Sequence, residues 1–238
     1  MNIQQLIDQY LALEQEEHHE PSGKFTPSAF GQCYRRQIWK RKGEPPTNPP
    51  DHLTLRKFKM GHIIHQTIYD MLPKNGLHEE YSTEVEINMQ DIKGFADIVT
   101  ENMVIDLKSV HSRKFWHLGR KKDETEDDAV RRFQKEQKDN ILQVMAYCFF
   151  LDKPFGKLVY ISKDDWCINE YEFKLSEWTT QVSDELYILR GFWEKKELPH
   201  ATPRLYPQKD GSFKECTYCQ FKDKCQEQGE KSCLLNMK

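Results

Sequence analysis

The sequence predicts an α/β (α+β) fold, a mixed central β-sheet flanked by helices. Three observations predict it. Helical stretches open the chain, a meander of three strand-like runs follows, and a long helix then precedes two further strand-like runs and a last helix. At 238 residues the chain exceeds the commonest domain size yet is short for two, so one domain spanning 1–238 is expected. With 37% hydrophobic and 31% charged residues, that domain should carry a modest core under a wide polar surface.

The elements follow in order. "MNIQQLIDQYLALEQEE" alternates as an amphipathic helix, and "TPSAFGQCYRRQIWKRKG" reads as a helix entered at Thr26 or Ser28 and ended near Gly43. The proline-rich "GEPPTNPPDH" connects it to a helix over 53–72, whose apolar positions are Phe58, Ile64, Ile68 and Leu72, with Pro73 and Gly76 marking its end. "STEVEINM", "KGFADIVT" and "MVIDLKSV" read as strands. A helix over 129–151, the strands "KLVYISK" and "CINEYEF", a helix over 176–195 and an irregular tail from Pro199 complete the chain.

The net charge of −3 gives no globally basic signature, but charge is unevenly spread. "RRQIWKRK" (35–42) and "RKFWHLGRKK" (113–122) are basic with interleaved aromatics, whereas "EQEEHHE" and "DETEDD" are acidic. Each run alone reads as a solvated face; the two basic runs together point to a nucleic-acid track. No apolar run approaches the roughly 20 residues of a membrane span, so a cytoplasmic protein is expected. In that compartment seven cysteines are reduced thiols or metal ligands rather than a disulfide framework.

"VIDLKSV" (104–110) carries an acid and a lysine among aliphatics. Side chains alternate on a strand, so Asp106 and Lys108 share one face and Ile105 and Leu107 the other, which keeps the charges off the core. A two-residue turn at Glu101 and Asn102 sets Asp97 opposite Asp106 and gathers Ala96, Ile98, Ile105 and Leu107 on the core face. Glu-Asn is a weaker turn signal than Asn-Gly, and a slip by one residue would break this pairing. Opposed carboxylates about 5 Å apart destabilise a sheet unless a divalent cation lies between them. Oxygen ligands suit magnesium or manganese, and a lysine beside such an ion could orient or deprotonate a water and offset charge at a scissile phosphate. An isolated Asp-x-Lys is ordinarily a surface pair; the opposed Asp97 sets this one apart.

These residues resemble the PD-(D/E)xK nuclease superfamily: "GFADIV" and "VIDLKS" match its core motif through Asp97, Asp106 and Lys108. "GHIIHQTIYDML", with His65 four residues after Gly61, and "QVMAY", with Gln143 and Tyr147, are similar to the motifs of RecB-like nucleases. The resemblance implies a restriction-endonuclease-like core. It also implies that His65, Asp97, Asp106 and Leu107 hold Mg2+ or Mn2+, that Lys108 assists catalysis, and that Gln143 and Tyr147 help place the DNA backbone. Spacing alone leaves His62 as a competitor for His65, and Gln143 with Tyr147 as ordinary packing on one helix face. Asp106 departs from the glutamate that many relatives carry.

"ECTYCQFKDKC" sets Cys216, Cys219 and Cys225 at Cys-x2-Cys-x5-Cys, a metal-site spacing for zinc or iron-sulfur. Cys233 would complete a zinc knuckle. "SAFGQCYRRQIW" resembles the N-terminal cysteine segment of iron-sulfur RecB-like nucleases, including CRISPR-associated exonucleases, AddB-type proteins and phage exonucleases. That resemblance assigns Cys33, Cys216, Cys219 and Cys225 to a 4Fe-4S cluster and makes 26–43 and 199–233 one iron-sulfur subdomain, with Arg35 and Arg36 on an adjoining DNA surface. Cys148 and Cys167 read as packing residues.

The function expected is a metal-dependent deoxyribonuclease, an exonuclease on single strands or ends, with DNA as partner and a helicase or recombination protein as a second. The rival is a non-catalytic DNA-binding or scaffold module with the same fold. The stretch 113–137 matches no motif and reads as a flexible flap over DNA.

Overall fold

The computed structural model describes residues 2–17, 22–72, 80–205, 208 and 213–228. Helices α1 (Ile3–Glu17), α2 (Tyr34–Lys42) and α3 (His52–Met71) precede strands β1 (Tyr81–Asn88), β2 (Lys93–Thr100) and β3 (Met103–Val110). Helices α4 (Ser112–Leu118), α5 (Glu126–Glu136) and α6 (Lys138–Leu151) lead to β4 (Phe155–Ser162), β5 (Ile168–Lys174), α7 (Thr179–Glu194) and the short α8 (Lys222–Glu227). The five strands form one mixed sheet in the order β1-β2-β3-β4-β5, with β3 parallel to β4 and the other pairs antiparallel. Among the described residues no helix is long and apolar enough to cross a membrane.

Helices cover both faces of the sheet. Apolar residues encircle α6, where Ile141, Leu142, Val144, Met145, Ala146 and Tyr147 are all buried, and it lies across β4 and β3. Gly156 makes this possible, since a Cβ there would come within 2.2 Å of Met145 and 3.0 Å of Cys148. On the opposite face α3 packs Ile64 against Ile98, Leu107, Val159 and Ile161. Burial on both sides explains the near-continuous apolar run of β4.

Several expectations are corrected. The second helix begins at Tyr34 rather than Thr26, because a short 3-10 turn (Pro27–Ala29) is followed by Gly31 at φ +80°, a left-handed backbone that no helix accommodates. The stretch expected as one helix over 129–151 divides at Gln137, whose φ of −116° breaks the helical path. The expected flap is two packed helices: Phe115, Leu118 and Phe133 join the main core, and Arg132 binds both carboxylate oxygens of Glu124 and the carbonyls of His117 and Gly119. Phe58 is not a core residue but 61% exposed. Cys148 is buried as expected, whereas Cys167 is exposed just ahead of β5. Pro73, Gly76 and Cys233 lie outside the described residues.

Candidate active site

The β2–β3 register pairs Ile98 with Ile105 and Val99 with Val104, the pairing that a turn at Glu101 and Asn102 sets. Ladder pairing stops there, and Asp97 and Asp106 follow directly. Beyond the paired stretch the Leu107 N–H donates to Asp97 Oδ2 at 2.7 Å. The irregularity extends into β1, where Glu84, flanked by the pairs Thr83–Ile98 and Val85–Ala96, takes φ +50°. The sheet changes face at this point. Ile98 and Leu107 pack under α3, while Ala96 packs under α6, contrary to the expectation that all three share one face.

Nor does Asp106 avoid the core, being 1% exposed beneath α6. It shares its face with Lys108 as alternation requires, and Lys108 Nζ lies 2.8 Å from its Oδ2. Gln143 joins the pair: its Nε2 donates to Asp106 Oδ1 at 2.8 Å, and its Oε1 accepts from Lys108 Nζ at 3.0 Å. Burial, opposed by Lys108 and reinforced by the Asp97 charge, pushes the Asp106 carboxyl up to about 6.

α3 supplies the other wall. His65 Nδ1 is 3.7 Å from Asp97 Oδ1, and the Tyr69 hydroxyl, one turn on, donates to the same oxygen at 3.4 Å. His62 is exposed and borders the same cleft as His65. Gly61 comes against the Ser109 side chain, and a Cβ there would lie 3.3 Å from the Ser109 hydroxyl. Tyr147, 3% exposed, lies behind Gly94 and so does not form an open surface, and the amide of Gln143 is taken up by Asp106 and Lys108.

His65, Leu107 and Lys108 of this set border a cleft of about 1830 Å³ whose walls also include Lys57, Lys114, Lys138 and Lys163 and the acids Glu136 and Asp139. Sequence reasoning missed Lys57, Lys138 and Lys163, which are scattered along the chain and carry no local motif.

Among the comparisons, no protein-family model matches the chain, and no curated protein matches it. The crystal structure of SSO0001 resembles it over 94% of this chain and 95% of that one, with 22% identity and a TM-score of 0.53, which shows a shared fold. An alkaline exonuclease from Laribacter hongkongensis (13% identity, TM-score 0.39) aligns over 74% of this chain and 94% of its own. A phage-related exonuclease from Haemophilus somnus 129PT (14%, 0.41) aligns over 59% and 71%. Both are too distant to bear on the chemistry.

The cysteines lie at a second junction. Cys33 precedes α2 and its N–H donates to Glu215 at 2.7 Å. Trp39 of α2 packs on Phe221 and Cys225, and Thr47 and Asn48 donate to the Gln220 carbonyl. Cys33 and Cys219 are close enough for their charges to interact, and burial raises both thiols. Arg35 is 5% exposed, donates to the Pro199 carbonyl and lies 3.9 Å from Cys225 Sγ, so it belongs to this junction and not to a DNA surface. Arg36 is half-buried, and its charge acts on Cys219.

Among the described residues, no three His, Cys, Asp or Glu side chains are gathered closely enough to hold a metal ion. The donor chemistry nevertheless fits two groups. Carboxylates with an imidazole suit a hard divalent cation, and thiols, here Cys33 and Cys225 buried with Cys216 and Cys219 partly exposed, suit iron-sulfur or zinc.

Asp106 gives a pH-dependent prediction. Its folded carboxyl keeps a proton up to about 6, whereas an unfolded aspartate loses one near 4. Between those values the folded state binds more protons, so stability present at low pH is lost as pH rises through about 6. In thermal melts of metal-free protein, the stability of Asp106→Asn relative to the parent should therefore increase from about pH 4 to about pH 7. A flat difference would contradict the burial argument.

Proposed function

We propose that the chain is a metal-dependent DNA nuclease, an exonuclease on single strands or ends. The observation that carries this reading is the gathering of Asp97 and Asp106 around Leu107, with His65, Leu107 and Lys108 bordering a cleft whose walls include several lysines. Asp97, Asp106, His65 and the Leu107 carbonyl would hold Mg2+ or Mn2+, which would polarise the scissile phosphate and acidify the attacking water. The chain's own residues do the rest. Leu107 N–H and the Tyr69 hydroxyl orient the Asp97 carboxylate, and Gln143 fixes Asp106 and Lys108 relative to each other. The Lys108 ammonium orients the water and offsets negative charge developing at phosphorus. Cleft lysines contact flanking phosphates, so affinity should fall steeply with salt.

Digestion of end-labelled linear and circular DNA with Mg2+, Mn2+ or EDTA tests this. Metal-dependent loss of the linear substrate supports it. Binding without cleavage under all conditions would favour the scaffold alternative.

A 4Fe-4S cluster on Cys33, Cys216, Cys219 and Cys225 belongs to the same reading, supported by the stitching of α2 to the segment before α8. A ligand set spanning nearly the whole chain stabilises it by closing a long loop. Cys219→Ser should lower iron content, visible absorption and melting temperature together; no change in any of them would count against the cluster. The helicase or recombination partner plays no part in this reading.

A further inference from the structure

Phe58 stands on α3 with 61% of its surface in water and borders the same cleft as Lys108 and His65. Phe58, His62 and His65 occupy positions i, i+4 and i+7, so they form one stripe along the cleft wall. A ring left in water forgoes the stabilisation that burial would give it. Its surroundings are cationic. Lys163 Nζ donates to the Lys57 carbonyl at 3.5 Å, and both lysines border the cleft. Burial, and then the Lys57 charge, lowers the pKa of Lys163, so two ammonium groups share this corner.

We propose that Phe58 is a base-stacking platform, with Lys57 and Lys163 contacting the adjacent phosphate, so that the DNA strand approaching Lys108 is unpaired at this point. This rests on the DNA-cleavage reading of the same cleft. An aromatic face accepts any unstacked base, whereas the interior bases of a duplex already have both faces covered. Seven residues of helix place Phe58 about 10 Å along the axis from His65. At one phosphate per ~3.4 Å of stacked strand, that is about three nucleotides from the scissile bond.

The test uses the Lys108→Ala protein, so that binding is read without cleavage. Adding Phe58→Ala should weaken binding of a single-stranded oligonucleotide roughly ten-fold or more, the usual loss for one base stack. Affinity for a covalently closed circular duplex should not change, and Phe58→Trp should retain the single-strand affinity. An abasic site about three nucleotides from the scissile position should mimic the alanine variant, and the two losses should not add. Equal single-strand affinities with and without Phe58→Ala, or additive losses with abasic sites at every position, would overturn the platform while leaving the nuclease reading intact. A Lys108→Ala protein that binds no DNA would instead overturn the reading of the cleft itself.

Discussion

Lys108→Ala should lower the cleavage rate by roughly 10²–10⁴-fold, the range for removing a proton-transfer or charge-stabilising group. DNA affinity should be nearly unchanged, because the phosphate attraction is distributed over the other cleft lysines. The contacts of Lys108 explain the asymmetry. Its ammonium is fixed by Asp106 at 2.8 Å and by Gln143 at 3.0 Å, so it is set for one position rather than free to track a backbone. Removing it leaves Asp106 buried without its cation, so arginine, longer and planar, should not restore activity. Single-turnover cleavage alongside equilibrium binding checks this. A variant that cuts at the parental rate removes Lys108 from the mechanism.

Glu185→Ala should cost about 3–5 kcal/mol of stability, the usual loss when one member of a buried ion pair is removed. Glu185 is 4% exposed on α7, and its carboxylate accepts from both Nη atoms of Arg204 at 2.7 Å, the Gly31 N–H, Gln37 Nε2 and the Tyr34 hydroxyl. Arg204 also donates to the Gln32 carbonyl and lies over the Tyr34 ring. One carboxylate thus joins α7 to the turn before α2 and to the segment after Pro199. Losing it leaves the part-buried Arg204 with the Gln32 carbonyl and the Tyr34 ring in place of a carboxylate. Chemical denaturation should show a lower midpoint with a similar slope. A midpoint within experimental error of the parent would mean that the network is replaceable by water.

Which of these features the sequence revealed follows from how local they are. The β2–β3 register was readable because a two-residue turn and alternating aliphatics specify it within a dozen residues, and the Asp106–Lys108 pairing follows from alternation alone. The change of face at Asp97 was not readable. It depends on Glu84, in another strand, adopting a positive φ that glutamate rarely takes. The burial of Asp106 was missed for a related reason: a half-polar strand looks one-sided until α6 is known to cover it. Arg35 was misplaced because a basic run signals charge but not which members fold inward, and only the Pro199 carbonyl and the Trp39 ring reveal that. Glu185 and Arg204 carry no motif, being nineteen residues apart and joined only in the folded chain.

Calorimetric titration of Mn2+ tests most directly whether Asp97 and Asp106 share a cation. The parental protein at neutral pH should bind at least one ion, and Asp97→Asn and Asp106→Asn should each lose that site, whereas Phe58→Ala should not. Undiminished Mn2+ binding in both asparagine variants would contradict the shared site and, with it, the nuclease mechanism.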